Sequence, residues 1–136
     1  PNITSHKVSI SENDFEIVLD STWKNIGSVT ISNLVKQKLN GIKFISGKMG
    51  AVISLSAIAP TDSADNYFNE VLKNRYETKS VMRFSDKLID NKNIYQLYEF
   101  SCPTKKILMI LETPKSTYEL NKTRYEQIIN SFLIKC

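Results

Sequence analysis

Residues 94–112, IYQLYEFSCPTKKILMILE, decide the fold class of this chain. Two largely apolar stretches, 94–100 and 105–112, flank a short connection that contains Pro103, and a proline there stops the first strand from continuing. The pattern is typical of two antiparallel strands joined by a turn. Apolar residues fill both alternating sets of positions in 105–112, which predicts a strand covered on both faces and therefore central in its sheet.

Hydrophobic periodicity outside this hairpin predicts four more strands and three helices. Apolar residues at spacings of three and four indicate the helices, of which the last has Ser116 and Glu119 in the spacing of a capping box. The order of elements favours a single α+β domain, a mostly antiparallel β-sheet flanked by helices, over residues 13–136, with a polar leader over 1–12. The predicted strands are 15–19, 42–46, 51–59 and 80–88, and the predicted helices are 31–39, 62–76 and 116–134.

Composition excludes several classes of protein. The 136 residues are 41% hydrophobic and 24% charged, which suits one folded domain and not a disordered chain. The net charge of +4 is spread evenly, with six Lys and Arg against four Asp and Glu in residues 1–60, and twelve against ten in 61–136. Nucleic-acid-binding domains usually concentrate their basic residues on one face or arm, so we expect no nucleic-acid partner.

Catalytic motifs are not evident in the sequence. His6 is the only histidine and lies in the polar leader, so neither a Ser-His-Asp triad nor a histidine zinc site is expected. Glu99 and Glu112 lie on neighbouring predicted strands and could form the carboxylate pair of a glycosidase, but solvated carboxylates at strand ends are more ordinary. The sequence therefore predicts a protein that is not an enzyme and that holds no cofactor or metal.

One aromatic and basic cluster is a candidate partner surface. Tyr95 and Tyr98 precede Lys105 and Lys106 in the predicted hairpin, where they could stack on bases or contact another protein. Because no single-strand-binding motif accompanies them, we expect a protein partner.

Trp23 is the only tryptophan and follows the first predicted strand. We expect it to be buried, with its indole N–H donating to a backbone carbonyl. The alternative is an exposed tryptophan that anchors a partner.

The two cysteines, Cys102 and Cys136, are the candidates for one disulfide. The last predicted helix is about as long as strand 105–112, so after a short loop it returns to the beginning of that strand. Cys102 precedes the strand and Cys136 follows the helix, which predicts Cα atoms close enough for a bridge. Two free thiols remain the alternative.

The sequence at both ends of the domain resembles the PsbP-like superfamily, which includes Mog-type Ran-binding proteins and bacterial DcrB-like lipoproteins. Residues 15–24, FEIVLDSTWK, are similar to its F-x-I-x-x-P-x-x-W opening, with Asp20 or Ser21 in place of the proline. Residues 125–132, YEQIINSF, resemble its last helix, which ends in I-x-x-S-F. The resemblance implies an antiparallel sheet between helices and a non-enzymatic binding role, and it carries over no functional residue.

The resulting expectation is a non-catalytic binding or accessory protein of the bacterial cell envelope, with another protein as its partner. The polar start and the paired cysteines favour a periplasmic or extracellular location, with membrane attachment only through a lipid anchor upstream of Pro1. A cytoplasmic location is the alternative. A dedicated partner module, such as a secretion-effector chaperone or an immunity protein, is the alternative function, and a small hydrolase is a third.

Overall fold

The computed structural model describes residues 7–11, 14–31, 39–61, 66, 82–84, 87–89 and 92–136. These residues form ten strands, a 3-10 turn at Lys115–Thr117 and the α-helix α1 (Tyr118–Ser131). The strands are β1 (Lys7–Ser11), β2 (Phe15–Asp20), β3 (Trp23–Ile31), β4 (Leu39–Ser46), β5 (Ala51–Ile58), β6 (Met82–Phe84), β7 (Lys87–Ile89), β8 (Asn93–Cys102), β9 (Lys105–Pro114) and β10 (Leu133–Ile134).

The main sheet contains seven strands in the order β3-β4-β5-β9-β8-β7-β6, and every neighbouring pair is antiparallel. Strand β9 lies fourth of the seven, and residues 107–111 are all buried, so the prediction of a central strand apolar on both faces is confirmed. Strand β5 pairs with β4 on one side and β9 on the other, which confirms an interior position for it as well.

One face of the main sheet packs against a second, smaller layer. Strands β1, β2 and β10 form a three-stranded antiparallel sheet, and α1 lies beside β2. Between the layers lies one continuous apolar core, which gives the fold most of its hydrophobic driving force. Its fully buried members include Ile17, Leu19, Phe44, Ile53, Met109 and Leu111.

The opposite face of the main sheet is buried as well. Tyr95, Leu97, Leu108 and Ile110 point away from α1, as the register shows, and each is at most 5% exposed. The helix predicted over 62–76 lies outside the described residues except for Asn66, which is helical.

Strands β3 and β4 differ from the sequence prediction at their ends. The turn after β2 is confined to Ser21 and Thr22, and Trp23 begins β3. The helix predicted over 31–39 is wrong at both ends, because Ile31 is the last residue of β3 and Leu39 is the first of β4; residues 32–38 lie outside the described part of the chain. Strand β3 carries a bulge between Asn25 and Gly27, where Gly27 has a φ of 89°, a conformation that glycine adopts without strain. The bulge breaks the alternation that would have identified this strand.

Three smaller differences concern element ends. The single strand predicted over 80–88 is two short antiparallel strands, β6 and β7. Helix α1 has Thr117 as its N-cap and no side-chain capping bond, because a 3-10 turn occupies the place of the predicted capping box. The predicted leader 1–12 includes β1, which pairs with β2 along its whole length. The fold class is as expected: α+β, with a mostly antiparallel sheet.

Candidate binding recess

The four residues predicted as a partner surface do not share one exposed face. Tyr95 is 3% exposed and points to the opposite side of the sheet from Tyr98 and Lys105. Lys105 Nζ lies 2.9 Å from Asp14 Oδ1, and Lys106 Nζ lies 3.5 Å from Glu99 Oε2. The alternation of side chains along a strand therefore separates residues that are close in sequence.

The carboxylates considered for hydrolysis are not brought together either. Glu112 pairs in register with Tyr95, and Glu99 pairs with Leu108. The two glutamates are thus four positions apart along the strands, about 13 Å at about 3.3 Å per residue. That spacing is wider than the separation of a glycosidase pair.

The predicted disulfide is present. Cys102 and Cys136 are bonded, with their Cα atoms 6.2 Å apart. The bridge joins the last residue of β8 to Cys136, which follows the short strand β10. At the same end of the molecule the Lys135 N–H donates to the Asp14 carbonyl at 2.8 Å. This confirms that α1 returns to the beginning of β9.

Trp23 is 8% exposed, so the prediction of burial is confirmed. The prediction of a backbone partner for its indole is wrong, since Nε1 is buried and has no hydrogen-bond partner among the described residues.

A polar network joins two turns to α1 at the end of the sheet away from the disulfide. The Thr22 N–H donates to Asp20 Oδ1 at 2.9 Å, and the Thr22 hydroxyl bonds to the same oxygen. Ser46 Oγ lies 2.9 Å from Thr22 Oγ1 and accepts from the Met49 N–H at 3.3 Å. Arg124 Nη2 lies 3.0 Å from Asp20 Oδ2. Asp20 is therefore the centre that fixes the β2–β3 turn and the β4–β5 turn against the helix.

The β4–β5 turn is also held close to the start of the helical segment. Gly50 has a φ of 66°, and a Cβ at this position would lie 3.1 Å from Pro114 Cγ. A larger residue would be strained by its backbone conformation and would crowd the proline. Glycine thus lets the turn approach the end of β9, which places Lys48 and Met49 beside α1.

An open recess of about 460 Å³ lies between this turn and the first turns of α1. Two cationic side chains line it, Lys48 from the turn and Arg124 from the helix. Met49, 5% exposed, and Leu120, 82% exposed, supply apolar surface, so Leu120 is an aliphatic side chain held in solvent. Thr117 and Asn121 complete the lining. The recess combines charged, polar and apolar groups in the way that binding sites do.

Two buried hydroxyl groups belong to residues of this helical segment, one of which, Thr117, lines the recess. Thr117 Oγ1 and Tyr125 Oη are buried, and neither has a hydrogen-bond partner of ordinary geometry among the described residues. Burial raises the pKa of the Tyr125 hydroxyl above its usual value of 10.0, and the neighbouring Asn121 side chain and Arg124 charge offset part of that rise. The Tyr125 hydroxyl is thus close to two residues that line the recess.

A second, smaller depression of about 140 Å³ lies towards the disulfide end. Phe15, Ile42, Leu55 and Ile107 form its apolar wall, and Asp14, at its rim, is already paired with Lys105.

The described residues contain no group of three or more potential metal ligands. Within the same part of the chain, no helix has the length and apolar character needed to cross a membrane.

The chain is similar in structure to cyanobacterial PsbP (CyanoP) from Synechocystis sp. PCC 6803, which was solved in solution. The superposition has a TM-score of 0.58 and covers 99% of this chain and 96% of that chain, with 10% sequence identity. The fold is PsbP-like. No family model matches the sequence, and no curated protein matches it either. At this identity the similarity establishes the PsbP-like fold and leaves the function to be argued from the site.

No local sequence pattern predicts the recess, because its residues come from two distant segments, 48–49 and 117–124. Leu120 is the one residue whose position in the sequence indicates it. Leu120 falls outside the apolar stripe of α1, whose buried members are Tyr118, Tyr125 and Ile128, and a large aliphatic residue off the stripe is left in solvent unless something covers it.

Proposed function

We propose that this protein is a non-catalytic accessory protein of the bacterial cell envelope and that it binds another protein through the recess beside α1. Leu120 carries this proposal, because an aliphatic side chain that is 82% exposed beside Lys48 and Arg124 offers an apolar contact within a polar rim. Protein interfaces have that composition, with an apolar centre and polar groups around it. The PsbP-like fold supports an accessory role.

The disulfide supports the envelope location. A bridge between Cys102 and Cys136 is stable in an oxidising compartment and is rare in proteins of a reducing cytosol. Within the superfamily, the DcrB-like lipoproteins are the branch that this location favours. Attachment to a membrane would then depend on a lipid anchor upstream of Pro1.

In-cell photo-crosslinking tests the proposed function. The photoreactive residue p-benzoylphenylalanine is introduced at Leu120 in one variant and at Leu133 in a matched control. Leu133 is also an exposed leucine, 62% exposed, but lies beyond the far end of α1, about 20 Å away along a helix of 14 residues. Both variants are expressed in the native host and irradiated.

The expected result is one discrete adduct from position 120, identified by mass spectrometry as a protein of the envelope, and none from position 133. Adducts of equal yield from both positions, or none from either, would refute the assignment of the recess as the binding surface.

A further inference from the structure

The charge of the recess is positive. Lys48 and Arg124 are its charged lining residues, and no carboxylate lines it among the described residues. Arg124 is compensated by Asp20, whose side chain is 11% exposed. Lys48 is exposed and makes no ion pair within the described part of the chain, so it leaves one uncompensated positive charge beside the recess.

Further hydrogen-bond donors line the recess together with Lys48. The guanidinium of Arg124 has five N–H donors, and Asp20 takes one of them through Nη2. The Thr117 hydroxyl lines the recess and is buried, and it has no hydrogen-bond partner among the described residues. Buried polar groups are normally hydrogen-bonded, so this hydroxyl favours a polar occupant close by. An oxygen that accepts several bonds and carries negative charge complements this set.

Apolar surface adjoins the donors. Leu120 lies between Thr117 and Asn121 along the rim, and Met49 forms part of the opposite wall. A carboxylate alone would leave Leu120 in water. The occupant therefore combines a carboxylate with an aliphatic group, as neighbouring side chains of a polypeptide do.

The number of cations argues against other anionic surfaces. Recognition of anionic membranes uses clusters of about four to eight basic residues, and the recess is lined by two. Polynucleotides likewise require many phosphate contacts for appreciable affinity. A single carboxylate on a protein segment fits the charge that is available.

We propose that the recess binds a segment of the partner protein in which an acidic side chain lies next to an aliphatic one. The carboxylate lies against Lys48 and the remaining N–H donors of Arg124, and the aliphatic side chain packs on Leu120. This inference rests on the proposed function, since it specifies the chemistry of the partner that the function requires.

Titration of the ¹⁵N-labelled protein, followed by NMR, tests the inference. The probes are two synthetic peptides, acetyl-Leu-Glu-Leu-Glu-amide and acetyl-Leu-Gln-Leu-Gln-amide, which differ only in charge. We expect the acidic peptide to give saturable shifts of the backbone amides of Lys48, Leu120 and Asn121, and the neutral peptide to bind at least about fivefold more weakly.

Two charge-reversal variants complete the test. Lys48→Glu is expected to weaken binding of the acidic peptide by at least about fivefold, because it replaces attraction by repulsion. Lys122→Glu makes the same change of net charge on an exposed residue of α1 that does not line the recess, and it should leave the affinity unchanged. Equal effects of the two variants would show that the affinity depends only on the net charge of the protein, and this would overturn the inference.

Equal affinity for both peptides, shifts outside the recess, or no shifts at millimolar peptide would also overturn it. The failures are distinguishable. A crosslink from position 120 without peptide binding refutes the acidic segment and leaves the proposed function standing. Peptide binding without any crosslink refutes the proposed function and removes the partner protein as the source of the segment.

Discussion

Removal of the Cys102–Cys136 disulfide should lower the free energy of unfolding by about 4 kcal/mol. The bridge spans 34 positions of sequence. In the chain-entropy relation, a loop of that size removes about 12–13 cal/mol/K from the unfolded ensemble, which is about 3.8 kcal/mol at room temperature. The perturbation is the double variant in which both cysteines become serine.

The folded state should also become less stable without the bridge, because few other contacts hold the end of the chain. The chain end beyond α1 pairs with β2 through only two residue pairs, Leu133 with Glu16 and Ile134 with Phe15. The Lys135 N–H adds one bond to the Asp14 carbonyl. Without the bridge this short strand is free to fray, so the measured loss should reach the entropic figure and not fall below it.

Urea denaturation of the oxidised protein and of the double serine variant, monitored by circular dichroism, measures the difference. The wild-type protein in reductant should move to the midpoint of the variant, whereas the variant should not respond to reductant. A difference below about 2 kcal/mol, the lower end of the usual range for disulfides, would refute the reasoning. Two reactive thiols in the denatured, unreduced protein would refute the bridge itself.

Three further substitutions test the core and the polar network. Phe132→Ala should cost about 3–5 kcal/mol, because Phe132 is 5% exposed and its ring lies 4.2 Å from that of Phe100, measured between centroids. Tyr125→Phe should be close to neutral at pH 7, because the hydroxyl lacks a well-oriented partner. Since the folded pKa of Tyr125 is raised, its contribution to stability is complete below about pH 10 and declines above it, and the variant should lose less stability there. Asp20→Ala should cost about 2–3 kcal/mol, because it removes the acceptor for Thr22 and leaves Arg124 unpaired.

Each of these is measured by urea titration, and each has a result that contradicts it. A cost below about 1 kcal/mol for Phe132→Ala would mean that the ring is not packed as described. A pH dependence between pH 9 and 11 that is identical in wild type and Tyr125→Phe would remove the tyrosine as its cause. Asp20→Asn keeps an acceptor for Thr22, so it should be milder than the alanine variant; equal costs would contradict the central position of that oxygen.

Residues with strong periodicity made much of the fold predictable from the sequence. Strand β9 is apolar at every position from 107 to 111, and its central place followed from that alone. The return of α1 to the beginning of β9 followed from matching lengths, which is why the disulfide could be inferred. Tyr125, Ile128 and Phe132 marked the buried side of α1 in the same way.

Some sequence-based predictions differ from the structure because pairing between distant segments determines the structure more strongly than the local residue pattern. Ile31 and Leu39 have helical spacing, yet Ile31 is the last residue of β3 and Leu39 is the first of β4, because the two strands pair with each other there. The four residues predicted as one partner surface are divided between the two faces of the sheet, because side chains alternate along a strand. The recess depends on register and on the close approach of Gly50 to Pro114, neither of which leaves a local pattern in the sequence.

The most direct test of the account is the affinity of the purified protein for the partner captured from position 120, measured by isothermal titration calorimetry. Leu120→Ala should raise the Kd at least tenfold, about 1.4 kcal/mol, as expected for an apolar anchor at the centre of an interface. Leu133→Ala, the exposed control, should leave the Kd unchanged. An unchanged Kd for Leu120→Ala, in a variant with the unfolding midpoint of wild type, would contradict the claim that this protein binds its partner through the recess.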